Sequence, residues 1–297
     1  MLVALMIPLA LTTLFFAATA IRAAIARHAV PTVETLALGA VTNFFDTLGI
    51  GSFAPTLAWF KFRNLVPDRL IPCTMLVGYT LPSMVQAMIF LILLGVLVDP
   101  VLLVGCVFAL LMGAVLGAGL VAKARSSAVQ GVVAVALLVA AILYAMTNLD
   151  LMPGGGTAAS LPPKLTVIAI AANFGFGLLL NFGVGNYAPS LVMFSLMGMD
   201  PHLSFPIMAG GAAFAGAAAS TRHIAMGKVD LRIAAGLAIG GIPAVLVAAF
   251  LVRSMPLAML RWLVIVVVVY AAAVMLRAAL ASRREEQALT VEQAVAI

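Results

Sequence analysis

The chain has 297 residues, 65% of them hydrophobic and 9% charged, a mean hydropathy of +1.22 and a net charge of +6. Soluble domains carry about 25% charged residues, so this composition excludes a water-soluble fold and calls for an all-α integral membrane protein. The basic residues sit in short loops and form no patch that would hold nucleic acid, and no cofactor or metal is expected.

Spanning a bilayer core of ~30 Å takes roughly 20 helical residues. The first apolar run, 2–21, is read as a transmembrane helix. Ala18-Thr19-Ala20 resembles a signal cleavage site, but no basic residue precedes the run as a secretory signal requires. Further spanning runs lie at about 70–98, 101–122, 128–149, 203–221, 231–252 and 257–281. Cys73 and Cys106 fall inside them and are read as packing residues. Two more segments, about 32–62 and 165–197, are apolar but interrupted. Met152–Pro163, with Gly154-Gly155-Gly156 and three prolines, reads as a linker. From Ser282 the chain turns polar, as expected of a solvated helical extension. The expected architecture is about seven transmembrane helices plus two re-entrant, broken-helix hairpins arranged as inverted repeats. Residues 1–31 are the first helix, 32–150 and 164–284 the repeats, and 285–297 a cytoplasmic tail.

The interrupted segments share a signature. Gly49-Ile50-Gly51-Ser52-Phe53-Ala54-Pro55-Thr56-Leu57 returns, 134 residues later, as Gly183-Val184-Gly185-Asn186-Tyr187-Ala188-Pro189-Ser190-Leu191. The same offset pairs Phe60 with Phe194, Pro67 with Pro201 and Pro72 with Pro206. Paired interruptions in two halves point to the substrate site of a transporter.

Charge tests how these segments sit. After the first signature, Ser52 to Phe60 gives only nine residues before Lys61, about 14 Å of helix. If each segment is a hairpin entering and leaving on one side, Arg22, Arg27, Lys61, Arg63, Arg69, Lys123, Arg125, Arg222, Lys228, Arg232, Arg277, Arg283 and Arg284 lie inside. Only Lys164, Arg253 and Arg261 then lie outside, a split of 13 to 3. If each segment crosses once, the split is 9 to 7. The positive-inside rule prefers hairpins, with the N-terminus outside and the C-terminus cytoplasmic in the plasma membrane. Three crossings separate the hairpins, so they enter from opposite faces and meet near the midplane.

Each Gly-x-Gly lets the backbone turn sharply. Ser52 and Asn186 are good N-cap residues, and Pro55 and Pro189 fit a first helical turn, where a missing N–H costs nothing. Each motif therefore reads as loop, cap and helix start. Free N–H groups and a partial positive charge would face the cavity and suit an anion. The candidate binding residues are Gly49, Ile50, Gly51, Ser52, Phe53 and Thr56 from one copy, and Gly183, Val184, Gly185, Asn186, Tyr187 and Ser190 from the other. Thr47 and Asn181 flank them. Asp46 is the acidic residue within the hydrocarbon region, either a proton carrier or a structural acceptor for loop amides. Arg222 and His223 read as interface anchors or gating residues. His28 and His202 read as loop residues.

The twofold Gly-x-Gly-x-x-x-Pro element, each copy followed by Pro-x-x-x-x-Pro (Pro67 to Pro72, Pro201 to Pro206), resembles the TauE/SafE sulfite exporter family, over roughly residues 33–281. Many members have a glycine-richer first motif, Gly-x-Gly-Gly-Gly, where this chain has Gly49-Ile50-Gly51-Ser52. The resemblance implies a non-enzymatic transporter of sulfite, organosulfonates or related sulfur-containing anions, driven by the proton-motive force. Its partners would be that small anion, the bilayer and protons, with a homo-oligomer left open. A transporter of carboxylates or another inorganic anion, an anion channel and a membrane scaffold are the rival readings.

Overall fold

The computed structural model describes residues 2–48, 52–67, 70–94, 97–117, 156–180 and 186–295, with single residues and short stretches between 127 and 149. The expectations placed on Gly49, Ile50, Gly51, Arg69, Lys123, Arg125, Met152 to Gly155, Asn181, Gly183, Val184 and Gly185 lie outside the described residues.

Helices form where the apolar runs are bounded by turn chemistry. The first, α1, is Leu2–Ala26. Next comes α2, Val33–Thr47, which starts at a capping box: Thr32 accepts from the Thr35 amide, and the Thr35 hydroxyl oxygen accepts from the Thr32 amide. Beyond the first signature, α3 is Phe53–Arg63, closed by Asn64 in the left-handed region at φ 50°. Then follow α4, Ile71–Leu93, and α5, Pro100–Gly117. The described residues from Ser127 to Met146 are helical as well. In the second half, α6 is Pro163–Leu180 and α7 is Tyr187–Leu196. Asp200 caps α8, Pro201–Ala225, and Asp230 caps α9, Leu231–Ser254. The last helix, α10, is Leu257–Val295 and passes residue 284 without a break, so the polar tail continues the helix as expected.

Among the described residues six helices are long and apolar enough to cross a membrane. Five coincide with expected spans. The sixth is α6, which the sequence reading takes as the inward arm of the second hairpin; its 18 residues reach about 27 Å. Helix α5 is described over 18 residues as far as Gly117, and 128–149 only in part. The fold is an all-α membrane protein.

Both broken segments fold back on themselves. In the first, the end of α3 returns to the start of α2: Arg63 Nε donates to Glu34 Oε1 at 2.9 Å and Trp59 Nε1 donates to the same oxygen at 3.0 Å. A single kinked crossing would place those groups on opposite sides of the bilayer. With 15 and 11 residues, the arms reach about 22 and 16 Å, short of a core crossing. In the second, the chain before α6 meets the chain after α7. Ala158 N donates to Gly198 O at 3.2 Å, and Asp200 N donates to Ala158 O at 3.0 Å. The outward arm α7 has 10 residues, about 15 Å.

The helices pair in a pattern that survives exchange of the halves. Helix α2 packs along α9, and its counterpart by offset, α6, packs along α5. Helix α4 packs against both α8 and α9, while α8 packs against α4 and α5. Small residues allow the close approach. Gly39 faces the Leu237 backbone, and Gly240 faces that of Leu36. Across the other pair, Gly113 faces the Phe174 carbonyl and Gly177 that of Leu110. At the centre α4 and α8 are joined by a Thr80–Ser220 hydroxyl hydrogen bond of 2.7 Å and a Phe90–Phe205 ring contact of 5.0 Å. Neighbourhoods also sort the loops by end. Arg27 approaches Gly227, and Asp230 N donates to Thr74 at 3.0 Å. At the other end Ala158 meets Asp200, and the His202 ring meets the Met255 carbonyl at 3.2 Å.

Candidate functional site

The inner end of the first hairpin is polar where the surrounding helices are not. The last turns of α2 carry Thr42, Asn43, Asp46 and Thr47. The Thr47 hydroxyl donates to Asn43 O at 2.8 Å, so it turns back onto its own helix. Asn43 Nδ2 donates to Gly39 O at 2.7 Å. Asp46 reaches across the signature and accepts from the Ser52 amide at 2.8 Å. This is the structural acceptor role: a carboxylate at a helix C-terminus is disfavoured by the helix dipole, and the start of α3 offsets that. In the first turn of α3, the Thr56 hydroxyl donates to Ser52 O at 2.7 Å and also meets the Tyr79 hydroxyl. Tyr79, from α4, bonds Thr42 at 2.8 Å as well, and its ring lies 5.7 Å from that of Phe53. One phenol therefore ties both arms of the hairpin to α4.

The second inner end is built differently. Asn186 precedes α7, and its Nδ2 donates to Met208 O on α8 at 3.2 Å. Tyr187, the first residue of α7, is buried with its hydroxyl beside the Gln86 amide of α4, without a hydrogen bond of good geometry. Ser190 is fully buried, and its hydroxyl has no partner among the described residues.

The two inner ends converge. Asp46, from the first hairpin, lies close enough to Tyr187, from the second, and to Tyr79 for its charge to act on both phenols. Ser52, Phe53, Thr56, Asn186, Tyr187 and Ser190 thus sit at the two helix starts, and Asp46 is hydrogen-bonded at the first of them.

Two expectations need correction. Ser52 and Asn186 occupy N-cap positions, but neither side chain caps its helix. The Asn186 amide is spent on Met208 instead, since a buried NH2 must find a carbonyl, and the Ser52 backbone lies in the helical region, at φ −92° and ψ −25°. The first amides of α3 and α7 have no acceptor within their own helix. His202 is not a loop residue. It stands in the first turn of α8, where its ring meets Asp200 at 2.9 Å. Arg222 and His223 close α8 as expected.

Tyr79, Thr42 and Gln86 were missed. An uncharged amide or phenol within an apolar span was the available signal. Among the described residues no group of His, Cys, Asp and Glu could hold a metal ion.

No curated protein and no solved structure matches the chain. Residues 165–296, which run from α6 to the end of α10 and include the second signature, match the family model described as Sulfite exporter TauE/SafE, a family of membrane exporters of sulfur anions such as sulfite.

Proposed function

We propose that the chain is a secondary transporter that binds a small sulfur-containing anion between the inner ends of its two hairpins and exports it across the plasma membrane. The observation that carries this reading is the pair of helix starts, α3 and α7, with hydroxyl and amide groups around them and the Asp46 carboxyl bonded at the first, within electrostatic reach of Tyr187 at the second. Helix N-termini present free N–H groups and a partial positive charge, so they attract an anion without the cost of a buried lysine. A cation would need several carboxylates or helix C-termini, and Asp46 is already engaged by the Ser52 amide. Sulfite and organosulfonates are the substrates the family match favours over carboxylates.

The exchangeable pairing of helices supports an inverted repeat. Three crossings between the hairpins would bring α3 and α7 in from opposite faces, so that rocking one half against the other opens a fixed site to either side. An inside-negative potential drives an anion outward, by about 2.3 kcal/mol per charge per 100 mV. Asp46 is the group for proton coupling. While charged it acts as a tethered anion on the α3 start, and protonation releases that amide to the substrate.

The test is flux of labelled sulfite, sulfoacetate and a dicarboxylate in proteoliposomes. Saturable, gradient-driven sulfite or sulfoacetate flux is expected. Dicarboxylate flux alone would move the substrate class, and conductance independent of any gradient would make the protein a channel.

A further inference from the structure

We infer that Gln86 of α4 and Tyr187 of α7 form a second, neutral pair of hydrogen-bond donors that contacts the anion and selects one with several acceptor oxygens. The inference rests on the anion site proposed above and adds Gln86, a residue that the glycine signatures do not explain, to Tyr187 of the second signature. Gln86 lies outside both copies, and its counterpart by the offset is Ser220, so Gln86 is not part of the repeated scaffold.

Gln86 is 1% exposed, and its Nε2 has no acceptor among the described residues. Tyr187 is 8% exposed, and its hydroxyl is likewise without a partner although it stands beside the Gln86 amide. Ser190, three residues along α7 and so on the same face, adds a third buried hydroxyl in the same condition. Buried polar groups are nearly always hydrogen-bonded, and each exception calls for a reason. Three exceptions gathered at the start of α7 share one reason: their acceptor arrives with the substrate. Gln86 Nε2 can only donate and Tyr187 Oη can donate as well as accept, so an acceptor would satisfy both. The Asp46 charge reaches Tyr187, but no hydrogen bond joins the two side chains. An oxyanion held by the α3 and α7 amides would still have an oxygen to offer this pair. A pyramidal or tetrahedral sulfur oxyanion has three such oxygens, and a carboxylate has two.

The role makes an unusual prediction for stability. Replacing an unpaired buried donor by an apolar group of like shape removes a penalty rather than a bond. Gln86→Met and Tyr187→Phe should therefore leave the Tm of the substrate-free protein unchanged or raised. Each should weaken sulfite binding at least about tenfold, which is 1.4 kcal/mol, with a smaller loss for acetate. The double variant should lose less than the product of the single losses, because the residues share one ligand oxygen.

The experiment is sulfite and acetate binding by calorimetry on the purified full-length protein, with Tm measured without ligand. Wild-type affinity for sulfite in both single variants would overturn the inference while leaving the anion site intact. A fall in substrate-free Tm with affinity unchanged would also overturn it, assigning the pair to packing. So would an equal loss of affinity in Ser195→Ala, whose hydroxyl is also buried and unpartnered but two turns further along α7. Absence of anion binding in the wild type would overturn the site and this inference together.

Discussion

The two hairpins carry one signature but are held in different ways. The first lies at the rim of the bundle. Phe53, Leu57, Trp59 and Phe62 of α3 are exposed, as residues facing lipid would be. Its mouth is tied by an exposed ion pair and an indole hydrogen bond, and its inner end by the Asp46 carboxylate. In the second, the outward arm lies inside the bundle, while most of α6 is not buried. Nearly all of α7 is buried, its mouth is tied by backbone hydrogen bonds, and its inner end is fixed by an amide on Met208 O. Ionisable groups hold one hairpin and main-chain or amide groups the other. Asp46, the group proposed above for proton coupling, belongs to the first, while the second mouth carries the Asp200–His202 pair at its edge.

The largest effect should follow from opening the second mouth. A Cβ on Gly156 would strike the backbone of Gly198, the residue whose carbonyl accepts from Ala158. Backbone cannot yield as a flexible side chain would. Gly156→Val should destabilise the protein by about 1–3 kcal/mol, the usual cost of overpacking, and lower Tm in detergent at every pH. A wild-type Tm would mean that this mouth is not a structural tie.

The signature and its half-length helices were legible in sequence because they are local. Ser52 and Asn186 do precede α3 and α7, and Pro55 and Pro189 do stand in their first turns. The fold-back of the first segment followed from charge counting. The ties themselves were not legible. Glu34 to Arg63, Thr42 to Tyr79 and Ala158 to Asp200 join residues 29, 37 and 42 apart in the chain, and no periodicity marks such partners. Capping failed for a related reason. Propensity favours Ser and Asn at N-caps, but a tertiary carbonyl, Met208 O, took the Asn186 side chain.

A smaller, functional effect is expected at the inner end of the first hairpin. Asp46→Asn keeps an oxygen that can accept from the Ser52 amide but cannot exchange a proton. It should abolish flux driven by a pH gradient and leave substrate exchange at equal pH within a few-fold of wild type. It should also flatten the pH dependence of binding. Loss of exchange together with a fall in Tm would mean that the carboxylate only holds the loop and that coupling lies elsewhere.

The smallest effect belongs to the first mouth. The hydrogen bond from Arg63 holds the Glu34 carboxyl below its ordinary range, against an opposing effect of desolvation and with further help from Trp59 and the Arg63 charge. A carboxyl whose pKa is lowered on folding stabilises the fold above its unfolded value of about 4.3, and that contribution fades as pH falls through the lowered folded value. Surface pairs of this kind contribute little, because water screens them and two long side chains must be ordered. Glu34→Gln should therefore lower Tm barely at neutral pH, and the wild-type and variant curves should merge in acid. Trp59 fluorescence should shift over the same acid window in wild type and not in the variant, with Trp262 replaced by Phe in both proteins so that one indole reports. A Tm difference persisting in acid would mean that Glu34 acts by packing rather than charge, and the contrast between an ionisable and a main-chain mouth would fail at its first term.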